Sequence, residues 1–144
     1  RDPGNAGTLL RSAEAAGIEL VIFCPDTVDP FNDKVLRAAM GAHFRVPLQV
    51  ADRWEQVWRL CGPSVALYVA DGSAPHFYDQ VDWRPPSALV IGGEAFGPSA
   101  QSMAHARPLA IPMHGSTESL NAGVAGSIIL FEAARQRRQR PAAE

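Results

Sequence analysis

Cysteine is nearly missing from this chain: Cys24 and Cys61 are the only two, far apart and each in or beside an apolar segment. Such a pair makes neither a disulfide framework nor a zinc pattern, and the simplest expectation is a reduced, cytoplasmic setting. The four histidines (His43, His76, His105 and His114) lack paired ligand spacing, so no metal site is expected. No apolar run approaches the roughly 20 residues of a membrane span, and no signal peptide opens the chain. Net charge is also small. A formal charge of -2 does not by itself advertise a nucleic-acid binder. The charge is unevenly placed, however, because Arg135, Arg137, Arg138 and Arg140 crowd the end of the chain. That cluster reads either as a solvated helix end complementing the macrodipole or as a contact to RNA phosphate.

What is present is apolar content. With 144 residues and 47% hydrophobic composition, the chain is expected to be one globular domain with a sizeable core. Apolar, β-branched runs recur at Glu19–Cys24, Val46–Val50, Val65–Ala70, Ala88–Ile91 and Leu109–Met113. Most do not alternate, as expected of strands covered on both faces. Helices are expected between them, at Asn5–Ala16, Asp33–Met40, Arg53–Leu60, Ser99–His105 and Ser119–Gln139. Gly17 suits the position just past a helix end. Trp54, Val57, Trp58 and Cys61 fall at helical spacing and read as core. Strands alternating with helices predict an α/β domain whose sheet is largely parallel.

Three constellations carry candidate chemistry. In Asp2-Pro-Gly-Asn-Ala-Gly-Thr-Leu-Leu-Arg, Asn5 is a cap or a functional amide, Gly7 permits close backbone approach, and Arg11 is a surface cation or a phosphate fork. In Leu89-Val-Ile-Gly-Gly-Glu-Ala-Phe-Gly-Pro-Ser, a strand ends in a glycine pair, and Glu94 is a helix-start acid or a site residue. The spacing is not that of a dinucleotide or Walker loop. The third and most informative is Ile111-Pro-Met-His-Gly-Ser-Thr-Glu-Ser-Leu-Asn-Ala-Gly-Val-Ala. A strand there runs into a polar loop that should deliver Ser119 and Asn121 onto the first turns of a long helix, as caps or as ligand contacts.

Together these segments resemble the signature motifs of the SpoU/TrmH-type RNA 2′-O-ribose methyltransferases of the SPOUT superfamily. The first motif matches at Asn5, Gly7, Arg11 and Ala13, the second at Gly92, Glu94 and Gly97, and the third at Ile111-Pro112-Met113, Ser119-Leu120-Asn121 and Ala125. An intermediate phrase from Asp29 to Ala42 is also similar, so the resemblance covers nearly the whole chain. The strand that normally precedes the first motif has no counterpart in it.

The resemblance implies an α/β fold with helices flanking a largely parallel sheet and a carboxy-terminal deep trefoil knot, a feature periodicity cannot suggest. It implies that S-adenosylmethionine binds at Gly92, Ile111, Met113 and Leu120, with the Ala70–Gly72 strand end as a weaker candidate. Asn5, Arg11, Glu94, Ser119 and Asn121 become the catalytic candidates. The implied partners are RNA, ribosomal more than transfer RNA, and a second copy of the chain, whose cofactor site Arg11 approaches. An N-terminal RNA-binding domain, common in the family, is expected to be missing from this piece. A family proposal makes Arg11 a general base. Its guanidinium stays protonated, so a phosphate clamp is the better physical reading. The competing expectations are a transfer-RNA methyltransferase and a non-catalytic knotted domain acting as an assembly factor.

Overall fold

In the computed structural model, which describes residues 1–139, the chain divides into two units, residues 1–63 and the described residues from 64 onward. The first carries α1 (Pro3–Ala15), β1 (Val21–Phe23), α2 (Asp33–Ala39), β2 (Leu48–Val50) and α3 (Trp54–Cys61). Asp2, not Asn5, caps α1: its side chain accepts the Asn5 N–H at 2.9 Å, and Pro3 fills the first helical position. Proline there has no N–H to satisfy, so a single aspartate upstream suffices and Asn5 sits within the first turn. At the other end, Gly17 N–H donates to Glu14 O and Ile18 N–H to Ala13 O, a Schellman closure with Gly17 at φ +72. Helix α2 stops at Ala39, two residues before Gly41, because Met40 itself takes the left-handed conformation at φ +52.

Strands β1 and β2 pair in parallel, Val21 opposite Leu48 and Phe23 opposite Val50. Leu10, Phe23, Val35, Ala39, Ala42 and Val46 form the core beneath them. α1 packs on α2 through Gly7. A Cβ at that position would run into the Ala38 side chain and lie 2.8 Å from Val35 O and 2.9 Å from Ala39 N. The two indoles expected in the core are only half-buried. Trp54 and Trp58 stack on each other with centroids 5.2 Å apart, and Val57 is the buried residue of α3. Burial pushes the Cys24 thiol up to about 11, with Cys61 adding to it.

The second unit carries β3 (Ala66–Ala70), β4 (Ser87–Val90), α4 (Ala100–His105), β5 (Arg107–Leu109) and α5 (Ala122–Arg138). Its sheet has the order β4-β3-β5, with both pairings parallel. The expected α/β architecture with parallel strands and flanking helices is thus what the chain adopts, as a two-stranded and a three-stranded sheet. Tyr68, Trp83, Leu109, Ile129 and Ala133 form the core that seats α5.

The carboxy-terminal half of α5 is fastened by polar contacts. Gln136 accepts the Trp83 N–H at 2.8 Å and donates to Val81 O at 3.0 Å. Arg137 donates to Trp83 O at 2.9 Å and to Ser87 Oγ at 3.2 Å. Arg135 forks onto Glu132 at 2.7 and 2.8 Å, and this contact, with Gln136, brings the Glu132 carboxyl down to about 2. Arg135 and Arg137 are therefore engaged within the unit itself, while Arg140 lies outside the described residues. Among the described residues no helix is long and apolar enough to cross a membrane, and no cluster of ligating side chains could hold a metal ion.

Gly7→Ala should overpack the α1–α2 contact, since two of the three atoms it meets are backbone. A loss of about 1–3 kcal/mol in urea unfolding of the chain is expected, with no change in the slope of the transition.

Candidate functional site

Because β3, β4 and β5 are parallel, their carboxyl ends come out on one side of the sheet, the side where open α/β sheets hold ligands. A cavity of about 510 Å³ opens there, in the size range of small-molecule sites. Ala70–Gly72 after β3, Ile91–Glu94 after β4 and Leu109–Ile111 with Met113 after β5 line it, together with residues 118–122 and Ala125 and Ile129 of α5. The ends are stitched to one another: Asp71 N–H donates to Leu109 O at 2.9 Å, and Ala110 forms a single bridge with Phe77.

The strand expected over Leu109–Met113 ends at Leu109. β5 is an edge strand, where Pro108 is tolerated, and Pro112 has no N–H to extend it. Among the described residues, no main-chain hydrogen bond satisfies the N–H and C=O groups of residues 111–120. These groups are left for solvent or a ligand. The helix expected from Ser119 begins at Ala122 instead. Ser119 and Leu120 precede it, and Asn121 is its N-cap, accepting the Val124 N–H at 3.1 Å.

Glu94 proves to be a helix-start acid for α5 rather than for the helix that follows it in sequence. Its Oε1 accepts the Asn121 side-chain N–H at 2.8 Å and the Ala122 backbone N–H at 3.1 Å. One carboxylate thus joins the glycine loop to the start of α5 and fills the place an anion would take at that helix end. The loop itself is tight. Gly97 is left-handed at φ +64, and its N–H donates to Gly93 O at 2.8 Å. A Cβ on Gly92 would lie 2.6 Å from both Gly97 C and Pro98 N, so that position accepts only glycine.

Of the residues singled out from the sequence, Gly92, Glu94, Ile111, Met113, Ser119, Leu120 and Asn121 all line this one cavity. Asn5 and Arg11 belong to α1 of the first unit, Asn5 half-buried and Arg11 exposed. Sequence reasoning missed Glu118 and gave little weight to Asp71. The position of Asp71 at the carboxyl end of the central strand was the available signal. Asp71, Glu94 and Glu118 are the charged residues of the lining, which has no Lys, Arg or His among the described residues. Such a cavity favours a ligand with an apolar body and a positive charge and disfavours phosphate.

The sequence profile of the SpoU rRNA Methylase family matches residues 1–131. The chain is 35% identical over 192 residues to mitochondrial rRNA methyltransferase 3 of Homo sapiens, covering 97% of this chain and 46% of that protein. It is 35% identical over 134 residues to the 23S rRNA (guanosine(2553)-2′-O)-methyltransferase of Bacillus subtilis, covering 91% and 53%. Among solved structures, the SpoU methyltransferase AviRb from Streptomyces viridochromogenes in complex with AdoMet superposes with a TM-score of 0.85 at 32% identity, covering 96% of this chain and 57% of that one. The chain spans about half the length of the curated relatives it matches.

Replacing Gly92 by alanine should close the cavity from its glycine-loop side, because the new methyl would displace backbone rather than a side chain. We expect denaturant unfolding to show a cost of about 1–3 kcal/mol and any ligand of the cavity to bind at least tenfold more weakly by calorimetry.

Proposed function

Because the chain belongs to the SpoU rRNA methylase family, we propose that it takes part in transferring a methyl group from S-adenosylmethionine to a ribose 2′-hydroxyl of RNA, ribosomal RNA foremost. The observation that carries this reading is the cavity at the three strand ends, acidic in its charged groups and apolar in Ile91, Ile111, Met113 and Ile129. When bound, the cofactor supplies an electrophilic methyl on a positively charged sulfur. An adenosyl and methionyl body with a net cationic head suits both properties of the lining. Gly92, Ile111, Met113 and Leu120 would hold it, helped by the main-chain groups of residues 111–120, which form no main-chain hydrogen bonds among the described residues. The threaded carboxy terminus implied by the motifs is part of this proposal, and the likeness to the AviRb fold supports it.

The remaining residues position a poor nucleophile and help remove its proton. Asn121 is held by Glu94 at the cavity rim, with Ser119 two residues before it on the same segment. We assign Ser119 and Asn121 to orienting the ribose, and Glu94 to fixing Asn121. Arg11 would grip the adjacent phosphate with its fork and stabilise the developing 2′-oxyanion, with Asn5 assigned to the same site from the first turn of α1. The acidic lining supports placing phosphate recognition on residues other than those of the cavity.

The active form is a homodimer in this reading. On α5, Val124 and Phe131 lie seven residues apart and are 47% and 45% exposed, an apolar stripe suited to a second copy. Phe131→Glu should convert a dimer to a monomer in light scattering; a wild-type chain that is monomeric at tens of micromolar would argue against the stripe as interface.

Calorimetry with S-adenosylhomocysteine tests the cofactor, and transfer of a labelled methyl group to ribosomal or transfer RNA, mapped to ribose or base, tests the reaction. Absence of heat, or label on a base, would reject the reading, and exclusive labelling of transfer RNA would redirect it. Arg11→Lys keeps the charge but loses the fork. It should lower kcat by about 10- to 100-fold while leaving S-adenosylhomocysteine binding within about twofold.

A further inference from the structure

None of residues 29–42 lines the cavity, and most of them have structural work instead. Asp29 accepts the Phe31 N–H, and Asn32 caps α2 by accepting the Lys34 N–H, both at 2.9 Å. Val35, Ala39 and Ala42 fill the core, and Ala38 meets Gly7 of α1. The side chains of Lys34 and Arg37 do none of this. Both are exposed, and among the described residues neither side chain forms a hydrogen bond or ion pair, with the neighbouring Asp33 or any other group.

Helical spacing puts these two cations on the side of α2 that Arg11 borders from α1. With about 3.6 residues per turn, each residue advances about 100° around the axis. On α2 the core residues Val35 and Ala39 fall to one side of Ala38, and Lys34 and then Arg37 fall to the other. On α1 Leu10 and Ala13 fall to the buried side of Gly7, and Arg11 falls opposite them. Gly7 and Ala38 are where the helices touch, so all three cations border the solvent side of one seam. Arg11 also forms no ion pair among the described residues, and Glu14, one turn along α1, is paired with Arg45. A lone surface cation is ordinary, but cations without counter-ions that line one seam can follow a nucleic-acid backbone. We propose that Lys34 and Arg37 extend the contact assigned to Arg11 into a phosphate track along the α1–α2 seam, holding RNA phosphates beyond the one next to the reactive ribose. The proposal rests on the reading of RNA as acceptor given above and adds the surface that grips the strand.

The test uses the whole chain and a single-stranded oligouridylate, with affinity read by fluorescence anisotropy over a range of potassium chloride concentrations. Each phosphate contact contributes about 0.7 to the slope of log K against log salt for a single strand. Lys34→Gln and Arg37→Gln should each lower that slope by about this amount, and the double variant by about twice as much. Arg37→Lys keeps the charge and should keep the wild-type slope. Arg59, an exposed cation on α3, is the control, and Arg59→Gln should leave the slope unchanged. Lys34 is also the only lysine of the chain, so acetylation by an amine-reactive ester reports on it directly. Oligouridylate should slow that reaction, and S-adenosylhomocysteine should not. Urea midpoints should match throughout, because both side chains stand outside the core. Equal slopes for wild type and Arg37→Gln, an equal loss in Arg59→Gln, or no protection of Lys34 would overturn the track. Failure of the wild type to bind oligouridylate would overturn it too, whereas the acceptor reading is judged separately by methyl transfer to ribose.

Discussion

One oxygen of Glu94 holds together two segments 27 residues apart, the glycine loop and the start of α5. It receives both the Asn121 amide and the Ala122 N–H, and Asn121 in turn caps the helix through Val124. Hydrogen bonds to an ionised acceptor are about twice as strong as neutral ones, and here they also satisfy a helix-end donor. Ser119 and Leu120 lie immediately upstream of the clasped residue, so their placement at the cavity depends on it. Without this clasp α5 would begin less sharply, and the segment of residues 111–120, which has no main-chain bonds of its own among the described residues, would lose its fixed end.

The other end of α5 is secured by different chemistry. Gln136 and Arg137 bind backbone carbonyls of the segment that leads into β4, and Trp83 is buried with its indole N–H on Tyr78 O at 2.9 Å. β4 then delivers the glycine loop back to Glu94. The helix is thus anchored twice, once through the strand that supplies the loop and once through the loop itself. Apolar packing of Ile129 and Ala133 fills the space between the anchors. Parallel strands make this closure possible, because only then do all three carboxyl ends meet the beginning of one helix.

Much of this was legible in the sequence, and what was not has identifiable causes. The order of strands and helices followed from apolar runs and glycine stops, and Gly17 and Gly7 behave as their positions suggested. The element ends were displaced where two side chains competed for one role. Asp2 outranked Asn5 as cap because Pro3 fixed the first helical position, and Asn121 held the start of α5 back to Ala122. β5 tolerates Pro108 because it is an edge strand, and it ends ahead of Pro112, which has no N–H to extend it; the edge was invisible without the pairing order. The Glu94 contact could not be read at all, since its partners come from a helix that begins after another helix and a strand have intervened. Glu118 escaped for the same reason: nothing local marks a carboxylate as facing a cavity.

Several arginines are engaged within their own unit. Arg45 is committed to Glu14 and to Met40 O, Arg84 to Asp82, Arg135 to Glu132, and Arg137 to the Trp83 carbonyl. Arg11 is different. It is exposed on α1, and Glu14 is held below the ordinary carboxylate range chiefly by its bond to Arg45, with Arg11 a lesser influence. Bidentate geometry is what would suit an arginine fork to phosphate in the proposed role. The carboxy-terminal pair, although richer in charge to the eye, holds its own unit together. The proposed division of labour, with phosphate at Arg11 of α1 and a cationic ligand in the acidic cavity, is consistent with these commitments.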